Sequence, residues 1–160
     1  MPDDVRVRPV TAADLPQLLD LVDQLADYEH LTRPDAAARD RLAADATAHP
    51  PRFHALLGEL DGQPVGYAVW FLTYSTFLAR PSLYLEDIFV RPDARSRGVG
   101  LALFRACAQE AVHRGCGRYE WQVLAWNKLA IGFYERLGAG HQADWLPFRL
   151  DGERLAALGA

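Results

Sequence analysis

Val5-Arg6-Val7-Arg8 alternates apolar and polar positions, the two-residue period of a half-exposed strand. From Thr11 the period changes. Leu15, Leu18, Leu19, Val22 and Leu25 fall at helical spacing behind Thr11-Ala12-Ala13-Asp14, a variant of the capping box in which a hydroxyl and a carboxylate three residues apart serve the first free amides. This helix is expected to run to about Glu29. A second is expected over Asp35 to Ala48, ended by His49-Pro50-Pro51, because a proline ring disfavours helix in the residue before it. Phe53 to Leu60 and Val65 to Thr73 read as strands joined by the hairpin signal Asp61-Gly62.

Leu83 to Val90 is apolar or aromatic except at Glu86 and Asp87, as in a central strand buried on both faces. A helix from about Gly98 to His113 should bury Leu101, Phe104, Ala108 and Ala111 or Val112. Arg118 to Leu124 reads as a further strand, Asn127 as the N-cap of a short helix and Gly138 as its C-terminal stop. One or two strands are expected around Trp145 to Leu150, then a helix-like piece from Glu153 to Leu158. The order predicts an α/β fold in one domain over residues 1–160, a mixed sheet with antiparallel hairpins on one side and helices flanking it.

Half of the 160 residues are apolar, enough for the core of a single domain. The formal charge of -4 argues against nucleic acid or an anionic membrane as main partner and suits a cationic substrate. No apolar run approaches the roughly 18 residues of a membrane span, so a cytoplasmic protein is expected. Cys107 and Cys116 make no disulfide framework, and His30, His49, His54, His113 and His141 are scattered without metal-ligand spacing, so no metal is expected.

The candidate chemistry begins at Arg95-Ser96-Arg97-Gly98-Val99-Gly100, a basic glycine turn between the central strand and the next helix. The first amides of a helix have no partner within it and lie at the positive end of the peptide dipoles, so anions bind there. Gly98 and Gly100 lack a Cβ and let the backbone approach a bulky ligand, while arginine adds charge that pairs with phosphate oxygens. The order strand, turn, helix therefore suits a diphosphate. The plainer alternative is a surface loop with two glycines and several arginines.

That hexapeptide resembles the R/Q-x-x-G-x-G/A signature of the GNAT acetyltransferase superfamily. Trp126-Asn127-Lys128 and Phe133-Tyr134-Glu135-Arg136-Leu137-Gly138-Ala139 resemble the family's later segment. Tyr84-Leu85-Glu86-Asp87-Ile88-Phe89-Val90, Tyr28-Glu29, Thr73-Tyr74-Ser75-Thr76 and Trp145 resemble its diamine branch, the spermidine/spermine and thialysine N-acetyltransferases. The resemblance covers nearly the whole chain. It implies a splayed, mostly antiparallel GNAT sheet, acetyl-CoA as donor, a primary amine of a small diamine, polyamine or lysine-like amino acid as acceptor, and a homodimer. Polyamine enzymes of the branch carry an acidic residue at the place of Ser75 and a tryptophan at that of Phe77, so this chain departs from them on the acceptor side.

The resemblance also implies site roles. Arg95, Ser96, Arg97, Gly98, Val99, Gly100 and Leu101 would hold the diphosphate of coenzyme A. The backbone of Ile88 and Val90 would pair with the pantetheine arm, an amide near Phe89 would meet the carbonyl oxygen, and Asn127 and Ala130 would hold the arm farther along. Tyr28, Glu29 and Trp145 would form the acceptor pocket; read alone, the first two are a helix end and the last a core residue. A lysine-like ammonium, with a pKa of about 10.4, must lose a proton before it can attack. Glu86 is the candidate base through an ordered water, or else only attracts the cation, and Asp87 is assigned to amine binding. A regular strand sends these neighbours to opposite faces, unless a bulge of the kind the family implies brings them nearer. Tyr134, seven residues and about 10 Å beyond Asn127 on one helix face, is the candidate acid for the departing thiolate. Two other readings stay open: a non-catalytic acyl-CoA sensor, which needs neither Glu86 nor Tyr134, and an acetyltransferase of protein lysines or N-termini.

Overall fold

In the computed structural model, which describes residues 3–160, Asp61 and Gly62 both take positive φ, +51° and +78°, the backbone of a tight hairpin turn. They join β2 (His54–Leu60) to β3 (Gln63–Ser75). With β1 (Val5–Pro9), β4 (Arg80–Val90) and β5 (Arg118–Trp121) these strands form one sheet in the order β1-β2-β3-β4-β5. The first three pairings are antiparallel, and β5 lies parallel to β4. A parallel neighbour needs a crossover, and α3 (Val99–His113) supplies it. The chain divides into two compact units, Met1–Gln122 and Val123–Ala160. The first holds the sheet with α1 (Leu15–Tyr28), α2 (Ala36–Ala46) and α3; the second holds α4 (Lys128–Arg136) and α5 (Gly152–Leu158).

Successive strand residues face opposite sides of a sheet, and Leu57 and Gly58 show the consequence. Leu57 packs with Leu18 and Leu21 of α1 and with Tyr67, Val69 and Phe89. Gly58 faces α3 so closely that a Cβ there would stand 2.6 Å from Val99 Cγ1. Helices therefore cover both faces. The start of α1 is tied to β1 through Asp14, whose carboxylate accepts 2.8 Å bonds from the amide and hydroxyl of Thr11 and a two-pronged grip from Arg8 at 2.7 and 2.9 Å. The capping box expected from the sequence thus becomes a joint between strand and helix.

Three expectations need correction. The core side of α3 is Val99, Leu103, Phe104, Cys107 and Ala111, whereas Leu101 and Ala108 are half-buried and Val112 is exposed. The sheet meets the helix slightly off the face that hydropathy alone selects. The strand expected at Arg118 to Leu124 stops at Trp121, opposite Leu85 and just before an irregularity in β4. No strand forms around Trp145 to Leu150: Trp145, Leu146, Phe148 and Leu150 are exposed on irregular chain. An apolar stretch becomes a strand only beside a partner edge, and among the described residues none pairs with it. Among those residues, too, no helix is long and apolar enough to cross a membrane, and no group of His, Cys, Asp and Glu could hold a metal ion.

Candidate active site

β4 slips by one residue against β3: Asp87 is opposite Val69, but Leu85 is opposite Trp70. Glu86 is the extra residue of this bulge, which bends the strand and upsets its alternation. As a result Glu86 and Asp87, neighbours that a regular strand would separate, line one cavity of about 250 Å³. Its other walls include Leu18 and Val22 of α1, Phe53, and Phe71 of β3, so two carboxylates stand in an otherwise apolar chamber.

The two acids differ. Glu86 is exposed, while Asp87 is half-buried and accepts a 3.0 Å hydrogen bond at Oδ2 from the hydroxyl of Tyr67. Burial pushes the Asp87 carboxyl up to about 6; the Tyr67 bond opposes that rise, and the negative charges of Glu86 and Glu29 add to it. Tyr67 is fully buried, and burial first, then the charge of Asp87, drives its phenol well above the ordinary range. Glu29, next after α1, is itself pushed up by burial. Glu29, Glu86 and Asp87 thus act on one acidic locus, although Tyr28 and Glu29 do not line the cavity. Ser75 and Phe77 do not line it either. Ser75 is buried at the end of β3, where its Oγ accepts from the Leu78 amide at 3.3 Å, and Phe77 is exposed beyond it.

Beyond the bulge, β4 continues to Val90 while its pairing with β5 ends at Leu85, so among the described residues no strand lies beside that edge of residues 86–90. This edge leads through a short 3-10 turn, Pro92–Ala94, to Ser96 at φ +62° and Gly98 at φ +90°, and then into α3. A Cβ on Gly98 would meet nothing within 4 Å, and one on Gly100 only Val90 Cγ2 at 3.7 Å. Open space before the free amides of a 15-residue helix fits a diphosphate. Val99 is buried and Leu101 half-buried behind the turn.

The arginines of the turn are engaged elsewhere. Arg95 Nε donates to the Val90 carbonyl at 3.0 Å, and its guanidinium lies 4.6 Å over the ring of Tyr28 and 5.9 Å from that of Phe89. Arg97 grips Asp3 through two nitrogens and stands 3.6 Å from Asp61. An anion at this turn would therefore meet mainly the backbone of residues 96–101. Val90 offers its carbonyl already bonded to Arg95, and Ile88 and Phe89 lie on the open edge segment.

Within the second unit, Asn127 caps α4: its Oδ1 accepts from the Ala130 amide at 3.2 Å. Tyr134 lies near the other end of the same helix with its ring 5.6 Å from that of Phe133, and Gly138 follows at φ +84°. Trp145 is 80% exposed and so is no core residue.

The model of the acetyltransferase (GNAT) family matches residues 16–139. The chain belongs to this family. It is an N-acetyltransferase, and the match extends across both of its units. Thialysine N-epsilon-acetyltransferase of Mus musculus is 33% identical over 164 residues, covering 96% of either chain. L-ornithine N5-acetyltransferase of Arabidopsis thaliana is 44% identical over a shorter stretch of 93 residues, 58% of this chain and 41% of the plant enzyme. Among solved structures, an integron cassette protein from the mobile metagenome of V. cholerae shares the fold with a TM-score of 0.79 at 23% identity, over 99% of this chain and 98% of that one. Aminoglycoside N-acetyltransferase AAC(6')-Iy, in complex with CoA, does so at 0.77 and 22%, over 94% and 97%.

The acetyltransferase carries site features that sequence reasoning missed. Leu18 and Val22 were legible as one helical face, but nothing along the chain marked that face as a cavity wall. The Tyr67–Asp87 bond joins residues 20 apart and depends on the strand register and its bulge.

Proposed function

We propose that this GNAT enzyme transfers the acetyl group of acetyl-CoA to the terminal primary amine of a small lysine-like or ornithine-like amino acid or diamine. The observation that carries this reading is the apolar cavity of about 250 Å³ whose polar lining is Glu86 and Asp87. An aliphatic stem with a cationic end matches it: the walls take the methylenes and the carboxylates take the ammonium. The thialysine and ornithine enzymes among the relatives support an amino acid acceptor, and the spermidine/spermine-like one a polyamine.

Acetyl-CoA, when bound, supplies an acetyl thioester. The backbone of residues 96–101 would hold its diphosphate, and the open edge of Ile88, Phe89 and Val90 its pantetheine arm, as an added strand would pair. By the family resemblance Asn127 and Ala130 serve the arm, and Tyr28, Glu29 and Trp145 the acceptor. The sequence suggested Glu86 as base and Asp87 as cation ligand; burial of Asp87 and exposure of Glu86 support the reverse. In this reading Asp87 takes a proton from the ammonium and the freed lone pair forms the C–N bond as the C–S bond breaks; by the family resemblance the departing thiolate would take its proton from Tyr134. The second nitrogen proton restores Tyr134 through solvent, and Asp87 returns its own to water. The exposed apolar stretch Trp145, Leu146, Phe148 and Leu150 supports a homodimer in which a second copy covers it; sedimentation should return the mass of two chains.

Thiol release from acetyl-CoA, measured with thialysine, lysine, ornithine, putrescine and spermidine, tests the reading. Turnover is expected on at least one short amine, and Tyr134→Phe should lower kcat by roughly 100-fold with acetyl-CoA affinity intact. Inertness toward the whole panel would refute the assignment.

A further inference from the structure

Tyr67 is fully buried in the middle of β3, where its ring belongs to the core cluster with Leu18, Leu21, Leu57 and Phe89. Packing alone would be served by phenylalanine, since a hydroxyl in such surroundings is costly unless it finds an acceptor. The acceptor it finds is not a backbone carbonyl but a carboxylate oxygen of Asp87, at 3.0 Å, in a residue that also lines the cavity. We propose that Tyr67 is a positioning residue for amine acetylation: its hydroxyl holds Oδ2 of Asp87 so that Oδ1 is presented to the ammonium and takes its proton.

This inference rests on the acceptor reading above and adds to it a residue that never touches the substrate. The geometry explains why the role falls to Asp87 rather than to Glu86. The bulge leaves Glu86 without a residue opposite it on β3, and its side chain is exposed, whereas Asp87 is opposite Val69, two positions along β3 from Tyr67. The bond favours the charged carboxylate, and so offsets part of the disfavour that burial imposes on it. The groups acting on Asp87 come from three elements: Tyr67 on β3, Glu29 just after α1, and Glu86 beside it on β4. Both carboxylates raise its proton affinity and Tyr67 alone among them lowers it, so removing the hydroxyl must move the titration upward. The chemical step is unchanged: one N–H proton passes to Asp87 Oδ1, the nitrogen lone pair forms the amide C–N bond as the thioester C–S bond breaks, the second N–H proton leaves through solvent as the thiolate gains one, and water later takes the proton from Asp87.

The experiment compares wild type with Tyr67→Phe in two readouts: the pH profile of kcat/KM on the panel amine that wild type turns over, and the titration of the Asp87 carboxyl carbon by NMR. In the variant the acidic limb and the carboxyl midpoint should both move up by about one pH unit. The rate should fall roughly ten-fold near pH 5 and roughly two-fold near pH 7, recover at higher pH, and leave the KM for acetyl-CoA unchanged. A limb that stays in place while wild type is active overturns the proposal. If wild type proves inert on every amine, the acceptor reading fails instead, and an unmoved carboxyl midpoint then overturns the pairing itself. Should Tyr67→Phe not fold, 3-fluorotyrosine at position 67, a stronger donor of nearly the same shape, should move the limb downward, and an unmoved limb would again count against the role.

Discussion

The guanidinium of Arg95 lies 4.6 Å over the ring of Tyr28, so the first arginine of the glycine turn is in contact with the end of the helix that Glu29 follows. The same side chain holds the Val90 carbonyl. An arginine set against an aromatic face contributes about 0.5–1 kcal/mol at a partly exposed site. A double-mutant cycle with Arg95→Ala and Tyr28→Leu, followed by urea unfolding, should return a coupling energy of that size. Both single variants should also raise the KM for the amine; strict additivity would mean that the contact carries no energy.

Asp87 is most readily seen through its proton. Its folded-state value of about 6 lies above the ordinary carboxylate range, so the folded chain binds that proton more tightly than the unfolded chain does. The contribution of this proton to stability is complete below about pH 4 and is lost as the pH rises through 6. Asp87→Asn removes the ionisation. The variant should match wild type near pH 4 and exceed it by about 3 kcal/mol above pH 7 in denaturant titrations, while losing at least 100-fold in kcat. Equal stability at both pH values would show that burial does not perturb this carboxyl.

Gly58 sets how closely α3 approaches the sheet. A Cβ there would stand 2.6 Å from Val99 Cγ1 and 3.0 Å from Leu103 Cδ1, and Val99 is the first residue of the helix that follows the glycine turn. Overpacking of this kind costs about 1–3 kcal/mol. Gly58→Ala should therefore lower the melting temperature and weaken acetyl-CoA binding in calorimetry, since the helix start must shift. Val99→Ala in the same chain should restore part of both. A melting temperature equal to wild type would contradict the close approach.

The glycine turn ahead of α3 was legible along the chain because its physics is local: Gly98, Gly100 and the first amides of α3 lie within a few residues of one another. The hairpin at Asp61-Gly62 and the cap at Asn127 were legible for the same reason. Where a partner distant in sequence decides the outcome, the chain was silent or misleading. The apolar residues from Trp145 to Leu150 carry strand-like character, yet no strand forms without an edge to pair with. Glu86 and Asp87 were visible as acids, but which is withdrawn from water depends on how β4 slips against β3.

By itself, then, the sequence determined most of the helices, the β2–β3 hairpin, the glycine turn before α3 and the presence of the two acids, since propensity, capping and spacing act over a handful of bonds. Only the tertiary structure decided that Glu86 and Asp87 share a cavity and that Asp87 is the one held by Tyr67. Those outcomes follow from strand register and a one-residue bulge, and register is set by the packing of both sheet faces at once rather than by any segment read alone.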